Sequence, residues 1–228
     1  MLTVELHAHS ALSYDGRDPV EMLHEQAAAV DLDAIVVTDH DEFSASAEAA
    51  ETAQDYGLLG IAGMEVTSAA GHVLAIGIDE RVPSGLPFTE TIEAIHDRNG
   101  IAIVPHPFQS SRSGVAENVE TGDLARADAI EVYNSRLLTG RANRRAKSFA
   151  SEHDLPMTAG SDAHIAEMVG QAVTLVDADE PTRAGVLEAI REGQTTVEGR
   201  RTPWHISFRQ AAGGAKRRVR NRLRDLLG

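Results

Sequence analysis

Thr3-Val4-Glu5-Leu6-His7-Ala8-His9-Ser10 reads as a short apolar strand that runs out into two histidines. Side chains two residues apart in an extended segment point the same way, so His7 and His9 can reach one ion. The pattern recurs along the chain. Thr38-Asp39-His40-Asp41 follows a second β-branched run, Gly63-Met64-Glu65 a third, and Pro105-His106-Pro107 a fourth. Glu131-Val132-Tyr133-Asn134 closes another, and Gly160-Ser161-Asp162-Ala163-His164 follows the next.

Between these runs lie amphipathic stretches with recognisable starts and stops. Strands are expected over residues 3–6, 34–38, 60–64, 73–78, 101–105, 129–133, 157–159 and 173–176. Helices are expected over 18–30, with Asp18 as cap and Pro19 in the first position, and over 44–57, 89–99, 139–153 and 181–193. Strands alternating with such helices imply βα units and a parallel sheet, open or closed. In parallel α/β folds the C-terminal strand ends are where loops converge and sites form. Every histidine-bearing motif above sits at such an end. A lone histidine after a strand is usually a hydrogen-bonded loop residue; a series of them with carboxylates points to metal. Imidazole and carboxylate ligands in this mixture suit Mn, Fe or Zn, and a carboxylate such as Glu65 can bridge two ions.

Composition narrows the rest. The 228 residues suffice for one substantial core. There are no cysteines, so disulfides, thiolate sites and a cysteine nucleophile are excluded. No apolar run approaches the roughly 20 residues that cross a bilayer. No signal-peptide pattern opens the sequence, and a cytoplasmic location is expected. Residues 1–199 carry 12 Lys/Arg against 34 Asp/Glu, a balance of −22, whereas 200–228 carry nine Lys/Arg against Asp225 alone. The chain therefore divides into a domain over 1–199 and a basic tail over 200–228. Within the tail, Val219, Leu223 and Leu226/Leu227 fall on one face of a helix expected over 215–227. Such a tail suits docking on the acidic body, nucleic acid or an anionic membrane. Only Lys147 and Lys216 are lysines. An acidic, lysine-poor surface suits a halophilic protein that stays hydrated in high salt; a GC-rich genome gives the same bias.

Taken together, His7-Ala8-His9-Ser10, Ser13-Tyr14-Asp15-Gly16, Thr38-Asp39-His40, Glu65, Pro105-His106-Pro107 and Ser161-Asp162-Ala163-His164 resemble the polymerase and histidinol phosphatase (PHP) family over residues 2–165. The resemblance implies an α/β fold, a distorted seven-stranded TIM-like (βα) barrel, with two or three divalent ions at the C-terminal strand ends. His7, His9, Glu65 and Asp162 would hold the first ion. Glu65 would bridge to a second bound by His106 and His72, and Asp15, His40 and His164 would hold the third. Asp15 stands where some members have histidine, and the loop from Glu65 to His72 is short.

Such a cluster suits phosphate-ester hydrolysis, because bound ions neutralise phosphoryl oxygens and supply a nucleophile at neutral pH, here a bridging hydroxide. Asp162 and His164 would relay protons, and Asp39 would orient a ligand from behind. Arg17, Arg112 and above all Arg136, two residues beyond Asn134, are candidates to grip phosphate. His24, His96, His153 and His205 read as structural.

The contexts of Glu65, His72 and His106 are closer to the general phosphoesterase and exonuclease branch, which favours nucleotide or short oligonucleotide esters. A histidinol-phosphatase-like enzyme is the alternative, and a non-catalytic metal-binding module that binds nucleic acid or a partner is another. Amidohydrolases also begin with a His-x-His strand, but many bridge their ions through a carboxylated lysine at a strand end. Lys147 lies in a helical stretch and Lys216 in the tail.

Overall fold

The computed structural model describes residues 1–136 and 140–200. The helix expected over 215–227 and the start of the one expected from Thr139 lie outside the described residues. In chain order the elements are β1 (Leu2–Ala8), α1 (Val20–Ala29), β2 (Ala34–Val37), α2 (Ser44–Thr52), β3 (Leu59–Gly60), β4 (Gly63–Ser68), β5 (Gly71–Ile76) and α3 (Phe88–His96). There follow β6 (Ile101–Val104), α4 (Thr121–Leu124), β7 (Ala129–Asn134), α5 (Arg141–Glu152), β8 (Met157–Gly160), β9 (Ala172–Val176), α6 (Arg183–Arg191) and β10 (Thr195–Gly199).

The backbone hydrogen bonds do not form one closed seven-stranded barrel. They form two mixed five-stranded sheets, ordered β10-β9-β1-β2-β3 and β4-β5-β6-β7-β8. The βα units give parallel pairs, β1 with β2, β6 with β7 and β7 with β8. Not every connection leads to a parallel neighbour: β5 and β6 are antiparallel although α3 lies between them. Only Ala69 and Ala70 separate β4 from β5, so these pair as an antiparallel hairpin. β9 returns antiparallel onto β1, and β10 antiparallel onto β9. The single strand expected over 60–64 is two strands, because the chain passes from one sheet to the other at Ile61-Ala62. β10 was not anticipated from sequence.

Two isolated parallel bridges link the sheets, Ala8 with Ala163 and His40 with Glu65. They lie where β1 and β2 end: Ala8 closes β1 and His40 follows β2. His9 N–H donates to Ala163 O at 2.7 Å, and Asp41 N–H to Glu65 O at 3.0 Å. The two sheets are therefore laced together at the edge that carries the histidine motifs. Beneath it, Leu6, Val36, Leu74, Ile76, Ile101 and Ile103 from both sheets pack into one apolar cluster, to which α6 adds Val186, Leu187 and Ile190. A second cluster lies under α1 and α2, and a third under α3 and α5.

One local correction and one buried carboxylate bear on the site. Helix α1 is entered through Pro19, not capped by Asp18. Asp18 instead accepts Ala166 N–H at 2.7 Å, tying down the loop after Asp162 and His164. Glu5, fully buried two residues before His7, accepts N–H bonds from His7, Ser161 and Gly170 at 3.1, 2.9 and 3.1 Å. Burial, outweighing those bonds, pushes its pKa up to about 7.

Candidate metal centre

Nine candidate ligands, carried on loops and strands far apart in sequence, meet in one place. His7 and His9 leave β1, and both are fully buried. Glu65 lies within β4, and its carboxylate is the hub. Oε2 lies 3.2 Å from His7 Nε2, 3.3 Å from His9 Nε2 and 3.4 Å from His40 Nε2. Oε1 lies 2.8 Å from His72 Nδ1 and 3.4 Å from His106 Nε2. His72 does begin a strand, β5, and the hairpin turns it back onto the Glu65 carboxylate. Asp15 Oδ2 approaches His164 Nε2 at 2.6 Å and His40 Nε2 at 3.6 Å, while Asp162 Oδ1 lies 3.7 Å from His9 Nε2.

These separations fit metal binding. Two ligands bound at about 2.1 Å to one ion are about 3.0 to 3.4 Å apart, depending on geometry. The ligand atoms of His7, His9 and Glu65 lie within 4.8 Å of one another, as do those of His40, Glu65 and His72, of His7, His106 and Asp162, and of His9, His40 and His164. Buried polar atoms are ordinarily hydrogen-bonded. Here both ring nitrogens of His9 and Nδ1 of His40 and His106 are buried with no hydrogen-bond partner, and the 2.8 Å approach of His72 Nδ1 to Glu65 Oε1 lacks hydrogen-bond geometry. Unpaired donor atoms converging at these distances are what a set of divalent ions would satisfy.

Outer groups hold the ligands in place, as metal sites require. Glu131, on β7, accepts from His7 Nδ1 at 2.9 Å through Oε1. Its Oε2 accepts His106 N–H at 2.9 Å and Asn134 Nδ2 at 3.0 Å. Asn134 Nδ2 also donates to Asp162 Oδ2 at 3.2 Å. Asp39 accepts from both the N–H and the hydroxyl of Ser10, fixing the residue after His9. The backbone contributes too: His106 and Asp162 have φ of 32° and 51°, a region that non-glycine residues enter at a cost of about 1 kcal/mol or more.

Electrostatics keep the carboxylates ionised. Burial alone would raise Glu65 and Asp162, but His40 and His7 beside Glu65, and Arg136 and Arg112 beside Asp162, hold both well below the usual carboxylate range. Burial would lower His7, yet Glu65, Glu131 and Asp162 hold it well above the usual histidine value. His164 is pulled down to about 4 by burial, then by Arg136 and His9, which leaves it neutral at pH 7. Asp39 is raised by burial, against the Ser10 bonds.

The ligands open into a cavity of about 400 Å³, rimmed by Tyr14, Ser111, Arg112, Ser113 and Arg136. Arg136 Nη1 lies 2.6 Å from Asp162 Oδ1 and 2.8 Å from His164 Nδ1, and Arg112 Nη1 lies 2.8 Å from Asp162 Oδ2. Arg17 is half-buried and does not line this cavity. A larger groove of about 750 Å³ runs along α6 and holds none of the candidate ligands. Sequence reasoning assigned no role to Glu131 or Tyr14. Glu131 falls with Asn134 in a strand-end motif, but the sequence does not show that its carboxylate holds His7 and His106. Of the histidines read as structural, His24 is buried beneath Tyr56 and His96 pairs with Asp128. His153 packs on Phe149, and His205 lies outside the described residues.

Comparison with known proteins agrees. The PHP domain family profile matches residues 5–99, and the PHP-associated profile matches residues 140–195. A Methanocaldococcus jannaschii protein of uncharacterised function is 26% identical over 155 residues, 64% of this chain and 89% of that protein. A two-domain Bacteroides vulgatus protein containing a predicted PHP-like metal-dependent phosphoesterase superposes with a TM-score of 0.74 at 22% identity, covering 87% of this chain. The present chain spans 64% of that protein's length. A lesion-specific endonuclease from Pyrococcus furiosus gives 0.62 at 16% identity, over 86% of this chain and 57% of its own. On its two profile matches, and with the ligand cluster placed as the sequence motifs require, the chain belongs to the PHP family.

Proposed function

We propose that residues 1–199 form a metal-dependent phosphoesterase that hydrolyses nucleotide or short oligonucleotide phosphate esters, and that the tail from 200 helps hold the longer ones. One observation carries the reading: four overlapping sets of buried and half-buried side chains, two of them sharing Glu65, converge beneath two arginines at an open mouth. We assign His7, His9, Glu65 and Asp162 to one ion, Glu65, His72 and His106 to a second, and Asp15, His40 and His164 to a third. Mn, Fe or Zn suits these donors. Bound there, such ions neutralise the phosphoryl oxygens and make water a competent nucleophile near neutral pH.

The chain's own groups do the rest. Arg136 and Arg112 present guanidinium forks at the mouth, where they pair with phosphoryl oxygens and balance the charge of Asp162. Asp162 is both ligand and anchor for those arginines. His164, kept neutral by burial and by Arg136, holds a ring lone pair ready to ligate, with its Nε2 2.6 Å from Asp15 Oδ2. Glu131 and Asn134 fix His7 and Asp162, and Asp39 fixes the loop after His9.

The nucleotide preference rests on charge and placement. β10 runs in the same direction as β1, so Gly199 ends at the edge that carries the ligands. Arg200 N–H bonds Gln171 O at 2.7 Å, and the next residue, Ala172, is hydrogen-bonded to Ser161, the neighbour of Asp162. Nine Lys/Arg thus follow a strand that ends at the catalytic edge, where they can contact a nucleic-acid backbone. The structural likeness to a lesion-specific endonuclease is compatible with this reading. A histidinol-phosphatase-like small-molecule phosphatase is the second reading, favoured by a cavity of only about 400 Å³.

The deciding experiment compares an aryl phosphate, a 3′,5′-bisphosphorylated nucleoside, a 5′-phosphorylated oligonucleotide and histidinol phosphate with metal-reconstituted protein. His7→Ala is the control, at low and high salt. Turnover of the nucleotide substrates that His7→Ala loses is the expected result. Turnover of histidinol phosphate alone would replace the substrate assignment, and silence on all four without bound metal would overturn the enzyme reading.

A further inference from the structure

We infer that Tyr14 is a stacking platform that selects esters carrying a flat aromatic group, such as a nucleobase, next to the phosphate; this rests on the nucleotide reading above. Among the described residues Tyr14 is the exposed aromatic ring: the side chains of Tyr56, Tyr133, Phe43, Phe88, Phe108 and Phe149 are all buried or half-buried. At 68% exposure Tyr14 leaves ring surface open to a ligand, and covering it would remove apolar area from water.

Its position is as telling as its exposure. The ring lies 4.6 Å from the His40 ring at an interplanar angle of 22°, a stacked arrangement. One face is thus backed by a candidate ligand, and its chain neighbour Asp15 is another. Tyr14 also lines the cavity mouth together with Arg112 and Arg136. A phosphate drawn to the arginines and the ligand cluster brings the group attached to it within reach of the Tyr14 ring. Aromatic rings stack on bases with little regard to which base it is, so this contact selects a nucleoside over an alkyl group without reading sequence. Leu12, two residues earlier in the same loop and 59% exposed, adds apolar surface to the same segment.

The test is equilibrium binding of adenosine monophosphate and of glycerol phosphate to the Mn-loaded full chain, for wild type, Tyr14→Phe and Tyr14→Leu, with bound metal measured in each. Wild type is expected to prefer the nucleotide by about tenfold, about 1.4 kcal/mol. Tyr14→Phe should keep that preference, and Tyr14→Leu, which still covers His40, should bring it close to one. An equal preference in Tyr14→Leu and wild type, or none in wild type, would overturn the inference, as would a loss that tracks lost metal. Hydrolysis is scored separately: base-selective binding without turnover would leave the platform standing and remove the enzyme reading.

Discussion

Glu131 shows how one side chain sets the site's geometry without touching an ion. Its two oxygens hold the His7 ring, the His106 backbone and the Asn134 amide at once. Glu131→Gln keeps the shape but loses the charge and turns an acceptor into a donor. Metal affinity is expected to fall about 10- to 100-fold with the circular dichroism spectrum unchanged, as metal titration would show. His24 tests the other kind of histidine. It is fully buried, both ring nitrogens lack a side-chain partner, and burial lowers its pKa. A histidine held neutral by the fold contributes stability that is present above its unfolded value, about 6.5, and is lost as pH falls towards its folded value. Urea midpoints should therefore drop between pH 7.5 and 5.5 more in wild type than in His24→Leu, the ligand histidines being common to both. At this scale the sequence was informative about most candidate ligands, because they stand at or just beyond the end of an apolar run, whereas His72 precedes one and Asp15 lies in a turn. It was silent on which arginine reaches the mouth. Arg17 follows a motif just as Arg112 and Arg136 follow theirs, and only the paths of the loops separate them.

The elements place those residues through close backbone approaches. Gly160 ends β8 against β1, where a Cβ would come within 2.5 Å of both the His7 Cβ and Glu131 Oε1. Gly160→Ala should cost about 1–3 kcal/mol of stability and weaken metal binding as well, because His7 must shift. Gly122, where a Cβ would meet nothing within 4 Å, is the control. Gly122→Ala should be neutral or stabilise by about 0.4–1 kcal/mol in the same thermal melts. Strand positions were legible wherever β-branched residues ran together, and β1, β2, β6 and β7 fall within two residues of expectation. Strand direction was not. Nothing in the runs around Glu65 and His72 reveals that they form a hairpin, except that two residues cannot carry a crossover. β10, Thr-Thr-Val-Glu-Gly, is only half-buried at best and mixes polar residues throughout, so it lacks the apolar signal that marked the others.

At the scale of the whole molecule, charge is distributed against itself. Residues 1–199 carry −22, and in sequence nine cations follow β10, whose C-terminal end lies at the edge that carries the candidate ligands. If those cations serve nucleic acid, a chain ending at Gly199 should bind a 5′-phosphorylated oligonucleotide more weakly and with a shallower dependence on salt, while its hydrolysis of an aryl phosphate persists. Loss of thermal stability at low salt with unchanged oligonucleotide binding would instead assign the tail to the body's own acidic surface. The division of the chain by charge was plain from sequence, and the end at which the tail departs was not, since it depends on the direction of β10. Beneath both questions lies the cluster of candidate metal ligands. The most direct test is to measure bound divalent metal per chain alongside aryl phosphate hydrolysis, in wild type and in Glu65→Ala. Glu65 touches five of the candidate histidines, so the expected result is two or three ions in wild type, loss of most of them in Glu65→Ala, and a fall in turnover of at least about 100-fold. Wild type that hydrolyses without metal, or Glu65→Ala that keeps both its ions and its rate, would contradict the assignment.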